Sequence, residues 1–240
     1  MIFEPALIPA TLIKRYKRFL ADVELEDGTV ITVHTPNTGS MLGLSDPGMR
    51  VWLRDTQNPK RKYLFSWDMT EPSPGNLVGV HTGIVNQLVT EAIALNRIPE
   101  LTGYQQIQQE RAYGEEKSRI DLLLSGPERP DCYIEIKNVT AIDDDSNAIF
   151  PDAVTRRGQK HLRELIQTVS QGNRAVMLFC IQRQDCCAFR PAQEIDPDYA
   201  ALLGEAYQCG VELLAYQTNI SPASIEITES VEILHDRFTS

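Results

Sequence analysis

Two short stretches, Ser118-Arg-Ile-Asp121 and Ile134-Glu-Ile-Lys137, are the most informative part of this sequence. Each has the branched aliphatic residues of a β-strand, and each carries acidic residues among them. The segment between them, residues 125–131, contains the glycine, prolines and charged residues that are typical of a turn. We therefore predict a β-hairpin whose strands are residues 119–124 and 133–139.

The numbering of this hairpin sets Asp121 opposite Glu135, because both lie the same distance from Glu128 in its loop. Directly opposed residues share a face of the sheet, with Cβ atoms about 5 Å apart. Lys137 follows Glu135 by two residues and joins the same face. Two like charges facing each other destabilise a sheet, so we expect a bound cation between the carboxylates.

This combination of side chains predicts phosphodiester hydrolysis. Carboxylates suit Mg²⁺ (or Mn²⁺), which keeps several waters and the substrate phosphate among its ligands. Asp121 and Glu135 are the expected metal ligands, together with the main-chain carbonyl of Ile136. Lys137 would orient the attacking water or bind the developing negative charge. The alternative is an ordinary surface ion pair between Lys137 and one of the acids.

Glu91 is a further catalytic candidate on the first predicted helix of the second half. This helix could supply one more acid to the metal. The alternative for Glu91 is a solvated glutamate on a helix surface, and the sequence leaves both open.

The first eighty residues are predicted to form short strands and turns without a long helix. About five short strands favour a small barrel of the OB type. Residues 71–75, with two prolines and a glycine, are predicted to be a linker, so the predicted domains are 1–80 and 81–240. The predicted strands are residues 19–25, 29–34, 50–54 and 62–67.

Helices and strands alternate in the second half, which is typical of a mixed α/β domain. The chain as a whole is therefore predicted to be an α+β protein of two domains. Residues 174–182 are predicted to form a buried strand, with residues 187–190 beside it and residues 211–216 as the last strand. The predicted helices are residues 83–97, 153–170 and 198–209.

Several longer strings carry a family resemblance. They are Tyr113-Gly-Glu-Glu-Lys-Ser-Arg-Ile-Asp121, Glu135-Ile-Lys-Asn-Val-Thr140, Phe150-Pro-Asp-Ala-Val-Thr155, Arg157-Gly-Gln-Lys-His-Leu162, Pro36-Asn-Thr-Gly39 and Asn58-Pro-Lys-Arg-Lys62. Over nearly its whole length the chain resembles the sugar fermentation stimulation protein A family, and its element order resembles the PD-(D/E)XK nuclease core. The resemblance implies an N-terminal OB-like barrel, a C-terminal nuclease-like domain, DNA binding with little sequence preference and a role in regulating sugar (maltose) use.

Basic side chains that are candidates for DNA contact fall into two groups and one loop. Positive charge near a helix N-terminus is unfavourable, because the helix dipole is positive at that end. The basic side chains near the start of the predicted helix 153–170 are therefore expected to have a phosphate partner. The alternatives are an exposed helix with a Lys160–Glu164 pairing, a proton-transfer role for His161, and a purely structural turn at residues 37–40. The predicted nucleic-acid contacts are Lys14, Arg15, Lys17, Arg18, Arg61 and Lys62 in the barrel, Asn37 in the loop, and Arg157, Lys160 and His161 on the helix.

The net charge of −10 is unevenly distributed. Residues 1–80 carry nine basic and nine acidic side chains, whereas residues 81–240 carry fourteen and twenty-four. Local phosphate contact by the barrel is therefore expected, with modest and salt-sensitive affinity. The N-terminus lacks the pattern of a signal peptide and no apolar run approaches a membrane span, so we expect a cytoplasmic protein without a membrane partner.

These features predict a DNA-binding protein with a Mg²⁺-dependent nuclease site. A non-catalytic, largely sequence-independent DNA-binding regulator on a nuclease scaffold is the alternative, and a metal-dependent RNA-processing protein is a third. The sequence leaves open whether the DNA is single- or double-stranded, and it leaves the oligomeric state open.

Overall fold

The first strands of the chain close into a barrel in the computed structural model, which describes residues 1–116 and 118–238. They are β1 (Ile8–Tyr16), β2 (Leu20–Leu25), β3 (Val30–His34), β4 (Arg50–Asp55), β5 (Phe65–Ser73) and β6 (Asn76–Gly79). Around the barrel the order is β1-β2-β3-β5-β4, and a parallel contact between His34 and Ser66 closes it. The predicted OB-like barrel is confirmed.

The barrel differs from the prediction at two places. β1 was not predicted, because its residues do not alternate cleanly between apolar and polar. The predicted linker at residues 71–75 is wrong, since β5 runs through Glu71 to Ser73 and turns back into β6 at Gly75 (φ +85°). Pro72 is tolerated there because the register of β5 against β6 shifts between Thr70 and Ser73, where no ladder hydrogen bond from residue 72 is needed.

The second half is built on a six-stranded sheet whose order is β15-β14-β12-β9-β8-β7. The inner strands β9, β12 and β14 are parallel, and the outer three pair antiparallel. Its strands are β7 (Gln106–Tyr113), β8 (Ser118–Ser125), β9 (Cys132–Val139), β12 (Arg174–Ile181), β14 (Glu212–Ile220) and β15 (Ile225–Ser230). The helices are α1 (Val85–Ala94), α2 (Arg156–Ser170) and α3 (Pro197–Gln208).

Helices cover both faces of this sheet, and β12 shows it directly. Met177 and Phe179 pack in the core that includes Leu162 of α2, whereas Val176 and Leu178 pack in the core that includes α1. Both faces are apolar because neither meets water, which explains the continuous apolar run. The element order on which the nuclease resemblance rests is a helix, a strand, a strand with Asp121, a strand with Glu135 and Lys137, and a second helix, and it is present as α1, β7, β8, β9 and α2.

A second, smaller sheet flanks the domain, with the order β10-β11-β13-β16. Its strands are β10 (Ala141–Ile142), β11 (Asn147–Phe150), β13 (Ala188–Pro191) and β16 (Glu232–Ile233). The prediction that residues 187–190 lie beside β12 is wrong, because β13 pairs with β11 and β16 instead. The prediction that residues 211–216 form the last strand is also wrong, since β15 and β16 follow β14.

The start of the chain forms main-chain hydrogen bonds with the second domain. The main-chain N–H groups of Phe3 and Leu7 donate to the carbonyls of Ala223 and Pro222, both at 2.8 Å. Residues 239 and 240 of the predicted second domain, and Lys117, lie outside the described residues. Every helix in the described ranges falls short of the length and apolar character that a bilayer crossing requires.

The position of α2 is set by the turn that joins β7 to β8. The buried carboxylate of Glu164 accepts a hydrogen bond from the main-chain N–H of Glu116 at 2.7 Å. The guanidinium of Arg163 donates twice to the carboxylate of Glu116, each at 3.1 Å. Gly114 (φ +73°) passes so close to Glu164 that an added Cβ would overlap its carboxylate. The turn therefore requires glycine at position 114.

We predict that Gly114→Ala lowers the free energy of unfolding by at least about 1 kcal/mol more than Gly172→Ala. Gly172 has a similar φ of +84° but open space around it, so its variant measures backbone strain alone. The difference between the variants, measured by urea unfolding, reports displacement of the Glu164 carboxylate. Equal losses would contradict the close packing of this turn on α2.

Asp68, on barrel strand β5, is an acidic side chain that is buried from solvent. Asp68 is 2% exposed, and the Nε of Arg54 lies 3.0 Å from its Oδ2. Burial raises the pKa of Asp68 to about 6, although Arg54 acts in the opposite direction. A raised pKa means that the folded state binds this proton more tightly than the unfolded state does. The stability that Asp68 contributes is therefore complete below the unfolded pKa of 3.8 and is lost as the pH rises through about 6.

We predict that, between pH 4 and pH 6, the protein loses about 2 kcal/mol of unfolding free energy relative to its Asp68→Asn variant. Asp22→Asn is the matched control. Hydrogen bonds led by that from Thr32 lower the pKa of Asp22, so the stability that Asp22 contributes is lost as the pH falls and not as it rises. Urea unfolding across this pH range measures both. Parallel pH profiles for the protein and Asp68→Asn would contradict the raised pKa.

Candidate metal and phosphodiester site

Glu135 is the buried centre of the site. It lies on β9 and is 3% exposed, on the face of the sheet that α2 covers. Its Oε1 accepts a hydrogen bond from the Nζ of Lys137 at 2.7 Å and is in close contact with the Nδ1 of His161 on α2. Its Oε2 is buried without a hydrogen-bond partner among the described residues. One oxygen is thus held by two nitrogen groups, and the other remains available to a ligand.

Asp121 lies where β8 and β9 separate. The hairpin register pairs Leu122 with Ile134, as its numbering predicted, but the ladder ends at that pair. Leu122 packs in the core beneath α1, whereas Ile120 packs in the core beneath α2, so β8 turns over at Asp121. The predicted shared face of a regular ladder is therefore wrong in detail. The strand twist brings the Asp121 carboxylate into the opening between the two strands.

The two hydrogen bonds of Asp121 show how this opening is lined. Its Oδ2 accepts from the main-chain N–H of Ile136 at 2.8 Å, and its Oδ1 accepts from the Nδ2 of Asn86 at 3.0 Å. The N–H and C=O of one strand residue project to the same side of the strand. The carbonyl of Ile136 therefore also points to the side on which Asp121 lies.

The electrostatics of the two acids differ. Burial, and then the negative charge of Glu135, raise the pKa of Asp121. Burial alone would raise the pKa of Glu135 too, but Lys137 and His161 together hold it below its ordinary value. The protein's own cations thus favour the charged form of Glu135, whereas burial and a neighbouring anion disfavour the charged form of Asp121.

These residues fit a hard divalent cation. The buried unpartnered Oε2 of Glu135, the carboxylate of Asp121 and the carbonyl of Ile136 are all oxygen donors, and Mg²⁺ takes one or two carboxylates while keeping waters. Within the described ranges, no group of three or more His, Cys, Asp or Glu side chains is arranged to hold a metal. The protein would thus supply two carboxylates and a carbonyl, and leave positions open for water and phosphate.

Glu91 does not join these residues as predicted. Its Oε1 accepts from the N-terminal amino group of Met1 at 3.0 Å, and its side chain is 39% exposed. Asn86, one and a half turns earlier on α1, is the residue of this helix that reaches Asp121. A helix repeats every 3.6 residues, so two positions five apart point to different sides and only one of them faces β8.

The helix residues predicted to contact DNA are divided by the structure. His161 is 5% exposed and belongs to the Glu135 site, so the prediction of a surface contact is wrong for it. Lys160 is half-buried, and its Nζ donates to the carbonyl of Glu116. Arg157 is exposed, and its Nε lies 3.4 Å from the Nε2 of His161. Arg157 therefore remains available to a phosphate beside the buried site.

The barrel loop at residues 37–40 is built differently from the prediction. Its carbonyls face two arginines: Arg15 donates to Asn37 and Gly39 at 2.9 and 3.0 Å, and Arg18 donates to Thr38 at 2.8 and 3.1 Å. The N–H of Gly39 donates to the Oδ1 of Asn37, which is 6% exposed. The loop thus presents its carbonyls to cations, and Arg15 and Arg18 are partly engaged in holding it.

The remaining predicted basic residues are on the surface. Lys17 is exposed in the turn after β1, and Lys14 lies 3.4 Å from Asp22 with most of its side chain in solvent. Arg61 and Lys62 are exposed and line a cavity of about 280 Å³ with His34 and Tyr63. Their role in nucleic-acid binding stays a prediction.

Two buried tyrosines near the site were not predicted. The hydroxyls of Tyr113 and Tyr199 are buried without hydrogen-bond partners among the described residues. Burial, and then the charge of Glu135, raise the pKa of both, so both rings lie within its field. Tyr113 begins one of the strings that carry the family resemblance. No local sequence pattern, however, distinguishes a tyrosine that belongs to a functional site from one that packs in the core.

The fold and site define a two-domain protein in which an OB-like barrel is joined to a nuclease-like α/β domain. A sequence model described as the SfsA N-terminal OB domain matches residues 13–80, and one described as the sugar fermentation stimulation protein RE domain matches residues 83–224. The chain therefore belongs to the sugar fermentation stimulation protein family.

Individual relatives agree with this assignment. Sugar fermentation stimulation protein homologs from Shewanella sp. strain MR-4 and Shewanella loihica are 52% and 49% identical to the chain, over 97% of its length and 99% of theirs. Among solved structures, Pyrococcus furiosus SfsA in complex with Ca²⁺ is 26% identical, with a TM-score of 0.87 and 97% of each chain covered. The fold described above is thus that of an experimentally determined relative.

The contact between His161 and Glu135 can be measured by a double-mutant cycle. We predict that Glu135→Gln and His161→Leu are coupled by about 1–3 kcal/mol in urea unfolding at neutral pH with EDTA, because either change removes the same buried contact. Glu135→Gln with His34→Leu, which lies in the barrel, is the control and should be additive within about 0.5 kcal/mol. Additivity in the His161 cycle would contradict the buried pairing.

Proposed function

We propose that this protein is a metal-dependent nuclease that acts on DNA, with Asp121, Glu135 and Ile136 as metal ligands and Lys137 as the catalytic cation. The observation that carries the proposal is the buried, unpartnered Oε2 of Glu135, beside the opening that Asp121 enters and next to the ammonium of Lys137. A buried carboxylate oxygen without a hydrogen-bond partner among the described residues is costly unless a cation completes it.

The cofactor in this proposal is Mg²⁺ or Mn²⁺, which when bound would lower the pKa of a coordinated water and balance charge on the phosphate oxygens. The Ca²⁺ named for the Pyrococcus furiosus relative supports a divalent ion here, because Ca²⁺ and Mg²⁺ both select oxygen ligands. Asp121 and Glu135 would hold the ion at the mouth of the β8–β9 opening, and Asn86 would fix the orientation of Asp121.

The chain's own groups divide the remaining work. Lys137 is held by Glu135 at 2.7 Å and lies 3.3 Å from the Nδ1 of His161, so its ammonium is fixed in position before substrate binds. A fixed cation stabilises the charge that develops on the phosphorus oxygens without reorganising. His161 positions Glu135 by contacting the same oxygen that Lys137 binds.

DNA contact is assigned to exposed basic side chains of the barrel and of the start of α2. Lys14, Lys17, Arg61 and Lys62 lie on the barrel, and Arg157 lies at the start of α2 beside His161. Arg15, Arg18, Asn37 and Lys160 would act by holding the loop and the turn that support these contacts. With so few free cations on an acidic protein, the affinity should be modest and should fall steeply with salt.

A non-catalytic DNA-binding regulator on the same scaffold is the second candidate. It is favoured by the double engagement of the Glu135 Oε1 and by the lack of a third acidic side chain at the described site. Such a regulator fits the sugar-fermentation description that the relatives carry.

The test is cleavage of supercoiled, linear and single-stranded DNA with Mg²⁺ or Mn²⁺. We expect cleavage by the wild-type protein, abolished by EDTA, and reduced at least about a hundredfold in Glu135→Gln and in Lys137→Ala. Glu91→Gln is the matched control, because it removes a carboxylate from α1 that binds Met1 and not the site. Gel-shift affinity in EDTA should stay within about threefold in Glu135→Gln and Glu91→Gln, since neither removes a cation that contacts phosphate.

The outcomes separate the two candidates. Wild-type binding with no cleavage under either metal would support the regulator and overturn the nuclease. Cleavage that persists in Glu135→Gln would place the active site elsewhere.

A further inference from the structure

A cavity of about 250 Å³ lies where the barrel meets the nuclease-like domain. On the barrel side it is formed by the loop at residues 37–40, and on the other side by the end of β9 and the small flanking sheet. It is smaller than the roughly 300–1,000 Å³ of sites that take drug-sized ligands, so a single small ring system is the largest occupant it admits. Its walls include Asn37, Thr82, Asn138, Thr140, Phe150 and Asp152.

The walls are polar without being basic. Two amides, several hydroxyls, one carboxylate and one aromatic ring line the cavity, and none of its lining residues is Lys, Arg or His. A phosphate would meet no cation there and would face the carboxylate of Asp152. The chemistry instead suits a neutral ring that carries both hydrogen-bond donors and acceptors, as the edge of a nucleobase does.

Several of these polar groups have unused hydrogen-bonding capacity. Asn37 is 6% exposed and spends its Oδ1 on Gly39, which leaves its Nδ2 without a protein partner in the described chain. Asn138 likewise spends its Oδ1 on Gln182 and keeps its Nδ2. Thr140 is also 6% exposed, and its hydroxyl makes no hydrogen bond to the described residues. These groups line the cavity and are available to the polar edge of an occupant.

The cavity also lies where the proposed chemistry needs a neighbouring subsite. Asn138 directly follows Lys137, at the carboxyl end of a parallel strand, which is where open α/β sheets bind their ligands. Phe150 packs on Phe179 with ring centroids 5.9 Å apart, and Phe179 is the register partner of Lys137. One wall of the cavity is therefore continuous with the face on which Lys137 lies.

We propose that this junction cavity holds one unpaired nucleobase of the nucleic-acid strand that crosses Lys137, an inference that rests on the proposed function. The substrate class is then DNA with an unpaired nucleotide beside the scissile phosphate, such as a single strand, a flap or a bulge. A fully paired duplex must unstack and unpair a base to fill the cavity, and an already unpaired base avoids most of that cost.

The test compares a single-stranded oligonucleotide with a blunt duplex of the same sequence, by fluorescence anisotropy in EDTA. The wild-type protein should bind the single strand about tenfold more tightly. Thr140→Val removes the free hydroxyl at nearly constant volume, and Asn138→Asp replaces a donor by an acceptor while keeping the oxygen that Gln182 uses. The double variant should reduce the preference to less than about threefold with duplex affinity unchanged. Asn76→Asp, on the barrel hairpin, controls for the added charge and should keep the preference.

A second measurement locates the base that is bound. An abasic residue moved along the single strand should weaken wild-type binding sharply at one position and should have no such position in the double variant. A wild-type protein that binds both DNA forms equally, or a double variant that keeps the preference, would overturn the cavity assignment and leave the nuclease proposal intact. A wild-type protein that binds no DNA of any form would overturn both.

Discussion

The buried carboxylate of Glu135 is the constraint on which the arrangement of the second domain depends. An ionised acid that is 3% exposed in a sheet between two apolar cores must be supplied with partners. Lys137 lies two residues away on the same strand, so its contact with Glu135 requires no other element to be in place. His161 comes from α2, so the helix must lie at one particular height and rotation over β9. The hydrogen bonds of Glu164 and Arg163 to the β7–β8 turn hold the helix there.

The separation of β8 and β9 at Asp121 is what leaves main-chain and carboxylate oxygens free between these strands. If the antiparallel ladder had continued past Leu122, the N–H of Ile136 would bond to β8, and two carboxylates would repel each other across a closed sheet. Because the strands part, Asp121 accepts that N–H with its own side chain and leaves the Ile136 carbonyl facing the opening. The same twist turns a destabilising pair into a set of oxygen donors.

The two domains meet at the carboxyl end of β9. The barrel loop held by Arg15 and Arg18 forms one wall of the junction cavity, and the strand that carries Glu135 and Lys137 ends in the other. Ser40 also donates to the carboxylate of Asp152 at 2.7 Å, so the loop is tied to the second domain. The predicted linker is instead the β5–β6 hairpin of the barrel sheet.

Local pattern determined the three helices and many of the strands, that the hairpin pairs in the register of Leu122 with Ile134, and that Asp121, Glu135 and Lys137 lie near one another. These follow from turn residues and short-range periodicity, which a sequence contains in full. Tertiary structure alone decided that Asn86 and not Glu91 reaches Asp121, and that His161 faces Glu135 while Arg157 faces solvent. The same holds for β13, which joins a separate sheet. Each of these depends on the rotation of a helix or the partner of a strand, and such choices are made by packing between segments distant in the chain.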